Sequence, residues 1–185
     1  AVYGLFNGLC ITKMRLQSFI VTLASMNIAR GIARFWANGI GIPLTYGNGK
    51  GLAPIEFGYL QERILGVIPV PAIIFVVLLL IFAFIMSKTS FGRKIYAIGG
   101  NKNAAYLSGI NVDRVKVTAF VICSMLASIA AMIHAAQISQ GGPNEGQGYE
   151  LNAVAACAIG GTSLAGGKGT VFGTLIGALI LGMLD

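Results

Sequence analysis

Apolar residues in this chain come in long runs. Gly66 to Met86 reads GVIPVPAIIFVVLLLIFAFIM without a formal charge, and Val117 to Gln137 reads VTAFVICSMLASIAAMIHAAQ, with none if His134 is neutral. An α-helix rises about 1.5 Å per residue, so roughly 20 apolar residues cross the hydrocarbon layer of a bilayer. Both runs therefore predict membrane-spanning helices. Between them, Ser87 to Lys116 carries Lys88, Arg93, Lys94, Lys102, Arg114 and Lys116 against a single acid, Asp113. Short loops rich in Lys and Arg stay on the cytoplasmic side, which fixes the direction of both flanking helices.

The rest of the chain fits around this pair. Ala1 to Ile11 predicts the tail of a helix, followed by a small basic turn at Lys13 and Arg15. Leu16 to Arg34 predicts a further span, running outward if that turn is cytoplasmic. Phe35 to Leu65 is a Gly-rich connection with Pro43 and Pro54 and balanced charge (Lys50, Glu56, Glu62, Arg63), as expected outside. In the returning span Pro69 and Pro71 sit in the first turns, where a missing N–H costs least. Ser139 to Glu150 is a turn-rich outer loop. Leu151 to Leu164 is apolar but short, and Thr170 to Leu184 is a second short apolar run. Either the first of these crosses, placing Lys168 in the cytoplasm, or the segment re-enters as a broken helix. The crossing is slightly preferred.

Composition agrees with a membrane protein. Apolar residues make up 56% of the chain and charged residues 10%, with a mean hydropathy of +0.79. A soluble domain carries about a quarter charged residues. The net charge of +7 does not indicate nucleic acid, because much of it lies in the one loop between spans. Cys10, Cys123 and Cys157 are far apart in apolar sequence, as packing residues rather than a disulfide or metal framework. No basic signal-peptide start is visible, and the chain begins and ends in apolar sequence. It reads as a piece of a longer protein, one transmembrane domain over residues 1–185 that lacks terminal helices.

Small residues supply the packing signals, since lipid tails are already as apolar as Leu. Ala127, Ala131 and Ala135 share one helical face, with Ser124 and Ser128 beside them. Gly173 and Gly177 form a GxxxG pair that Ala178 and Gly182 continue. Such seams serve packing within a bundle or an interface between subunits. Gly161 to Gly169 (GTSLAGGKG) misses a phosphate loop: Thr162 stands at the first glycine position and Gly169 where a Ser or Thr would hold magnesium. A tight turn between helices is the better reading. No nucleophile–base set, carboxylate pair or metal cluster is evident, so neither a catalytic site nor a cofactor is expected and the function should be vectorial. His134, the only histidine, either bonds within the bundle or lines a solute path with Gln137, Tyr149, Glu150 and Asn152.

The basic loop itself is more than a linker. Asn103 to Ser108 has a short helical pattern with Asn103 as a possible N-cap, Gly99-Gly100 leading in and Gly109 leading out. Ala104, Ala105, Leu107 and Ile110 offer an apolar surface beside positive charge. Here TSFGRKIYAIGGNKNAAYLSGINVDRVKVTAF, followed by GYELNAVAACAIGGTSLAGGKGTVFGTLIGALILG, resembles the permease subunit of ribose-type ABC importers, within the wider sugar and branched-chain amino-acid permease family. IARG at Ile28 to Gly31 and GVIPVP at Gly66 to Pro71 match the same pattern. The resemblance implies an all-α polytopic bundle of about ten transmembrane helices per subunit in the bacterial inner membrane, paired with an identical or similar permease. It implies a cytoplasmic ATP-binding subunit docking on Gly99, Asn101, Ala104, Ala105, Leu107 and Gly109, and an outer sugar-binding protein delivering a monosaccharide. Asn152 departs from the family, in which GYEL is usually followed by Asp. An ion-coupled transporter or a non-transporting membrane protein are the rival classes; the first usually needs intramembrane acids, which the clear spans lack.

Overall fold

The computed structural model describes residues 1–45, 53, 55–61, 63–64 and 68–184. Lys50, Pro54, Glu62, Gly66 and Val67, with which the sequence furnishes the long connection and the start of a span, lie outside them. The described chain is helical: α1 (Val2–Lys13), α2 (Ser18–Trp36), α3 (Val70–Lys88), α4 (Ser90–Gly100), α5 (Lys102–Leu107), α6 (Val112–Ile138), α7 (Tyr149–Ile159) and α8 (Val171–Leu184). A 3-10 helix covers Ile55–Gln61. The strands β1 (Ile42–Pro43), β2 (Arg63–Ile64), β3 (Ile68–Pro69) and β4 (Gln140–Gly141) are two residues each. The helices α3 and α6 are long and apolar enough to cross a membrane.

The chain divides into two compact units, Ala1–Phe75 with Lys116–Glu145 and Val76–Val115 with Gly146–Asp185. In the first, α1 lies along α2 and along the first half of α6. Gly4 brings its backbone onto the Phe120 carbonyl and the Ser124 hydroxyl, and a side chain at Gly8 would meet Val117 Cα at 3.0 Å. The Tyr3 hydroxyl donates to the Ser25 carbonyl of α2. Beyond α2, β1 pairs antiparallel with β4 (Ile42 with Gly141, Pro43 with Gln140), and the Leu44 amide donates to the Ser139 carbonyl at 2.9 Å.

In the second unit, α7 and α8 form an antiparallel hairpin. Gly173 rests on the Gly160 carbonyl and Gly177 on the Ala156 carbonyl, one turn along each helix. The Gly173/Gly177 seam therefore packs within the chain. Gly182, which continues its spacing, has nothing within 4 Å of a Cβ built there. Ala127 and Ala131 of the other small-residue face are exposed.

Several boundaries differ from the sequence expectations, each for a local reason. Pro69 is not in a helix: it pairs with Arg63 in the β2–β3 hairpin, and only Pro71 occupies the first turn of α3. The helix α6 starts at Val112, five residues ahead of Val117, because the Asn111 side chain accepts the Arg114 amide at 3.0 Å and caps it. Only part of the apolar run Leu151 to Leu164 is helical. The helix α7 ends at Ile159 and Gly161 takes φ +81°, turning the chain back. Eleven residues rise only about 16 Å, roughly half the hydrocarbon thickness.

Replacing Gly177 by Val should drive a branched side chain into the Ala156 carbonyl and destabilise the purified protein by about 1–3 kcal/mol. Gly182→Val should leave the unfolding midpoint in detergent within about 0.5 kcal/mol of the parent. Thermal or denaturant unfolding of the two variants side by side measures the difference.

Candidate functional site

The segment Ser87 to Lys116, expected as a loop holding one short helix, is almost wholly helical. Thr89 caps α4: its hydroxyl accepts the Gly92 amide at 3.4 Å and donates to the Ile85 carbonyl at 2.7 Å. A side chain at Gly92 would strike the Met86 backbone, so α4 leaves α3 at a close turn that only glycine permits. The cap of α5 is Asn101 rather than Asn103. Its Oδ1 accepts the amides of Asn103 and Ala104, both at 3.0 Å. Gly99 and Gly100 are the last residues of α4, and Gly109 ends α5 at φ +78°. Ala105 is buried at 4% exposure, whereas Tyr106 and Leu107 stand out at 72% and 84%. Ala104 is exposed and Ile110 partly covered.

Of the six residues expected to dock a partner, five thus surround α5 and present Ala104 and Leu107 outward, with Ala105 turned into the chain. Gly99 is committed differently. A Cβ there would run into the Gly167 amide, and the left-handed Gly166 and Gly167 lie against Gly99 and Gly100 in return. Tyr96 donates its hydroxyl to the Gly169 carbonyl at 2.8 Å. The turn between α7 and α8 is therefore seated on the C-terminal half of α4. Within that turn the Ser163 amide donates to the Lys168 carbonyl and the Gly166 amide to the Ser163 carbonyl. The glycine-rich GTSLAGGKG segment works as a tight inter-helix turn with a partner helix that its spacing alone does not disclose.

The residues expected along a solute path fall in both units. His134 and Gln137 are on α6. The His134 Nε2 lies 3.9 Å from Glu145 Oε2, and Gln137 is exposed. Tyr149, Glu150 and Asn152 occupy the exposed first turn of α7, begun by Gly148 at φ +86°.

Glu145 and Asn144 lie in the segment expected as a turn-rich outer loop. Each is held. Glu145 also accepts from Gln140 Nε2 at 3.2 Å, and Arg34 Nε of α2 donates to Asn144 Oδ1 at 3.1 Å. A long-range pair of this kind leaves no periodic trace, although an arginine at the end of an apolar helix was a usable sign.

Also unforeseen is a cavity of about 490 Å³ in the first unit, between α1 and α2 and bordered by Gly142 and Pro143. Asn7, Thr22, Ser25 and Arg30 line it. Each is a lone polar residue inside apolar sequence, and that was the available signal.

One protein family, described as branched-chain amino acid transport system / permease component, matches residues 1–185. The chain is 44% identical to the ribose import permease protein RbsC of Escherichia coli K12 over 186 residues, covering 100% of this chain and 56% of that protein. It is 45% identical to RbsC of Bacillus subtilis over 180 residues (97% of this chain, 54% of that one). Identity to the xylose transport system permease protein XylH of Haemophilus influenzae is 38% over 237 residues (100% and 63%). The chain thus spans little more than half the length of these relatives. No solved structure matches it.

Loss of the α5 cap tests the local construction. Asn101→Ala should cost about 1 kcal/mol of helix stability and speed amide exchange over residues 102–107 about fivefold. Asn101→Asp, which keeps the acceptor, should exchange at the parental rate.

Proposed function

Because the chain belongs to the branched-chain amino acid transport system / permease component family, we propose that it is part of the membrane-spanning permease subunit of an ATP-driven monosaccharide importer. The single observation that carries this reading is the 44–45% identity to ribose import permeases across nearly the whole chain. In this reading the protein is multi-pass in the bacterial inner membrane, with the basic α4–α5 segment in the cytoplasm. It pairs with a second permease, identical or similar, and receives solute from a binding protein on the outer side. The covalent chemistry, ATP hydrolysis, belongs to a separate subunit.

The docking element is α5 with its flanks. Exposed Tyr106 and Leu107 beside Lys102 suit a groove on an ATP-binding partner, since buried aromatic and aliphatic anchors dominate interface energetics. The seat of the α7–α8 turn on α4 supplies a route onward. A displacement imposed on α5 reaches α4 through Asn101, and α8 through the Gly99–Gly167 contact and the Tyr96–Gly169 hydrogen bond. Short, close backbone contacts transmit movement because packed elements do not deform continuously. Only a difference in how the ATP-binding subunits hold two states of the permease can drive such a switch.

Reconstitution of the full-length permease with its ATP-binding subunit and binding protein tests the reading. Proteoliposomes should take up D-ribose or a related pentose only when ATP is supplied on the side of the ATP-binding subunit. Uptake that persists without that subunit would contradict it. A sharper variant is Ala104→Glu, which places a charge on the exposed docking face and should cut uptake at least about tenfold with the permease still present in the membrane. The corresponding Ala105→Glu would confound the result, because Ala105 is buried.

A further inference from the structure

The cavity between α1 and α2 has no part in the docking route, and its lining has a definite hydrogen-bonding character. Asn7 Oδ1 is buried and has no hydrogen-bond partner among the described residues. A buried acceptor left unmade is costly, more so among apolar side chains. Thr22 donates its hydroxyl proton to the Ser18 and Phe19 carbonyls, at 3.0 and 3.1 Å. Ser25, itself 4% exposed, donates its own to the Thr22 carbonyl at 3.0 Å. Both hydroxyls have spent their protons on the helix and meet the cavity as acceptors.

Arg30 lines the same cavity two turns along α2 from Thr22 and is partly covered. Among the described residues no acid lies within ion-pair distance of it, in contrast to Arg34, which is engaged by Asn144. Tyr3 adds the edge of an aromatic ring, fixed by its bond to the Ser25 carbonyl.

The set is therefore two hydroxyl acceptors and a side-chain amide along one wall, guanidinium donors at one end, an aromatic surface, and no carboxylate. A cation would be repelled by Arg30. A carboxylate would pair with Arg30 but bring further acceptors against Thr22 and Ser25, whose hydroxyl protons are spent on α2. A neutral polyol fits throughout, because each of its hydroxyls donates and accepts and its C–H face can lie on a ring. It is an open groove of about 490 Å³ rather than an enclosed chamber.

We propose that the α1–α2 cavity is a solute subsite, in which Asn7, Thr22 and Ser25 accept hydrogen bonds from sugar hydroxyls and Arg30 donates to them. This rests on the monosaccharide-importer reading and adds to it a location and a specificity. In the proposed orientation Arg30 and Pro143 are at the outer end, so solute released by the binding protein meets this cavity early in its passage.

The test uses the full-length permease assembled with its ATP-binding subunit and binding protein, with Cys10, Cys123 and Cys157 replaced by Ser and Ala29→Cys introduced in the cavity wall. A small maleimide labels the new thiol. D-ribose should slow the labelling about tenfold, L-leucine should not, and Asn7→Leu or the isosteric Thr22→Val should each abolish most of the protection. Labelling that D-ribose leaves unchanged, in an importer that transports D-ribose, would overturn the subsite and leave the importer reading intact. Protection by L-leucine in place of D-ribose would overturn the polyol assignment. Failure of the parent assembly to take up any monosaccharide would remove the reading on which both stand. Protection that survives both Asn7→Leu and Thr22→Val would likewise overturn the assigned roles.

Discussion

Close approach of one backbone to another, at positions where no side chain intervenes, is the constraint on which this structure depends. In an apolar chain with apolar surroundings, burying another leucine gains little, so association rests on van der Waals contact at short range. The described helices meet at glycines. Gly4 and Gly8 let α1 lie on α6, Gly173 and Gly177 let α8 lie on α7, and Gly166 and Gly167 let the α7–α8 turn lie on α4. A Cβ at Gly4, Gly160, Gly173 or Gly177 would coincide with a neighbouring carbonyl oxygen, leaving no room for a compensating rotamer.

These contacts place the chemistry. Along α1, glycine contact with α6 on one side leaves Tyr3 and Asn7 to meet α2, creating a polar cavity in otherwise apolar sequence. Arg34, Asn144, Gln140, Glu145 and His134 fasten the loop that borders it. In the other unit, the same kind of contact joins a short exposed helix, through α4, to the hairpin of α7 and α8. The proposed function draws on this link between an exposed helix and a hairpin.

Much of this was legible in the sequence. Charge-free runs gave most of α3 and all of α6 beyond its first turn, because a long apolar run without Gly or Pro in its interior favours one continuous helix. Gly109 was readable as a helix end because only a left-handed residue closes α5 there. The GxxxG seam named its own residues. Other features depended on partners distant in sequence. Gly99 looked like part of a docking surface because nothing near it announces Gly167, and Glu145 read only as part of a turn-rich loop because Gln140 and His134 approach it only after the loop folds. The extra helix α4 was hidden by its composition: Gly92, Gly99 and Gly100 weaken helix propensity, and its stability comes from the Thr89 cap and from packing. Asn7 passed unnoticed because a single polar residue changes no periodicity.

The most direct measurement is a pair of structures of the assembled full-length importer, one without nucleotide and one with bound ATP. The account predicts that α4, α5 and the 166–169 turn keep their Gly99–Gly167 and Tyr96–Gly169 contacts in both states and shift as one body with α8. If the turn separates from α4 in either state, or if α5 moves while α8 stays still, the glycine contact does not carry the coupling and the account is contradicted.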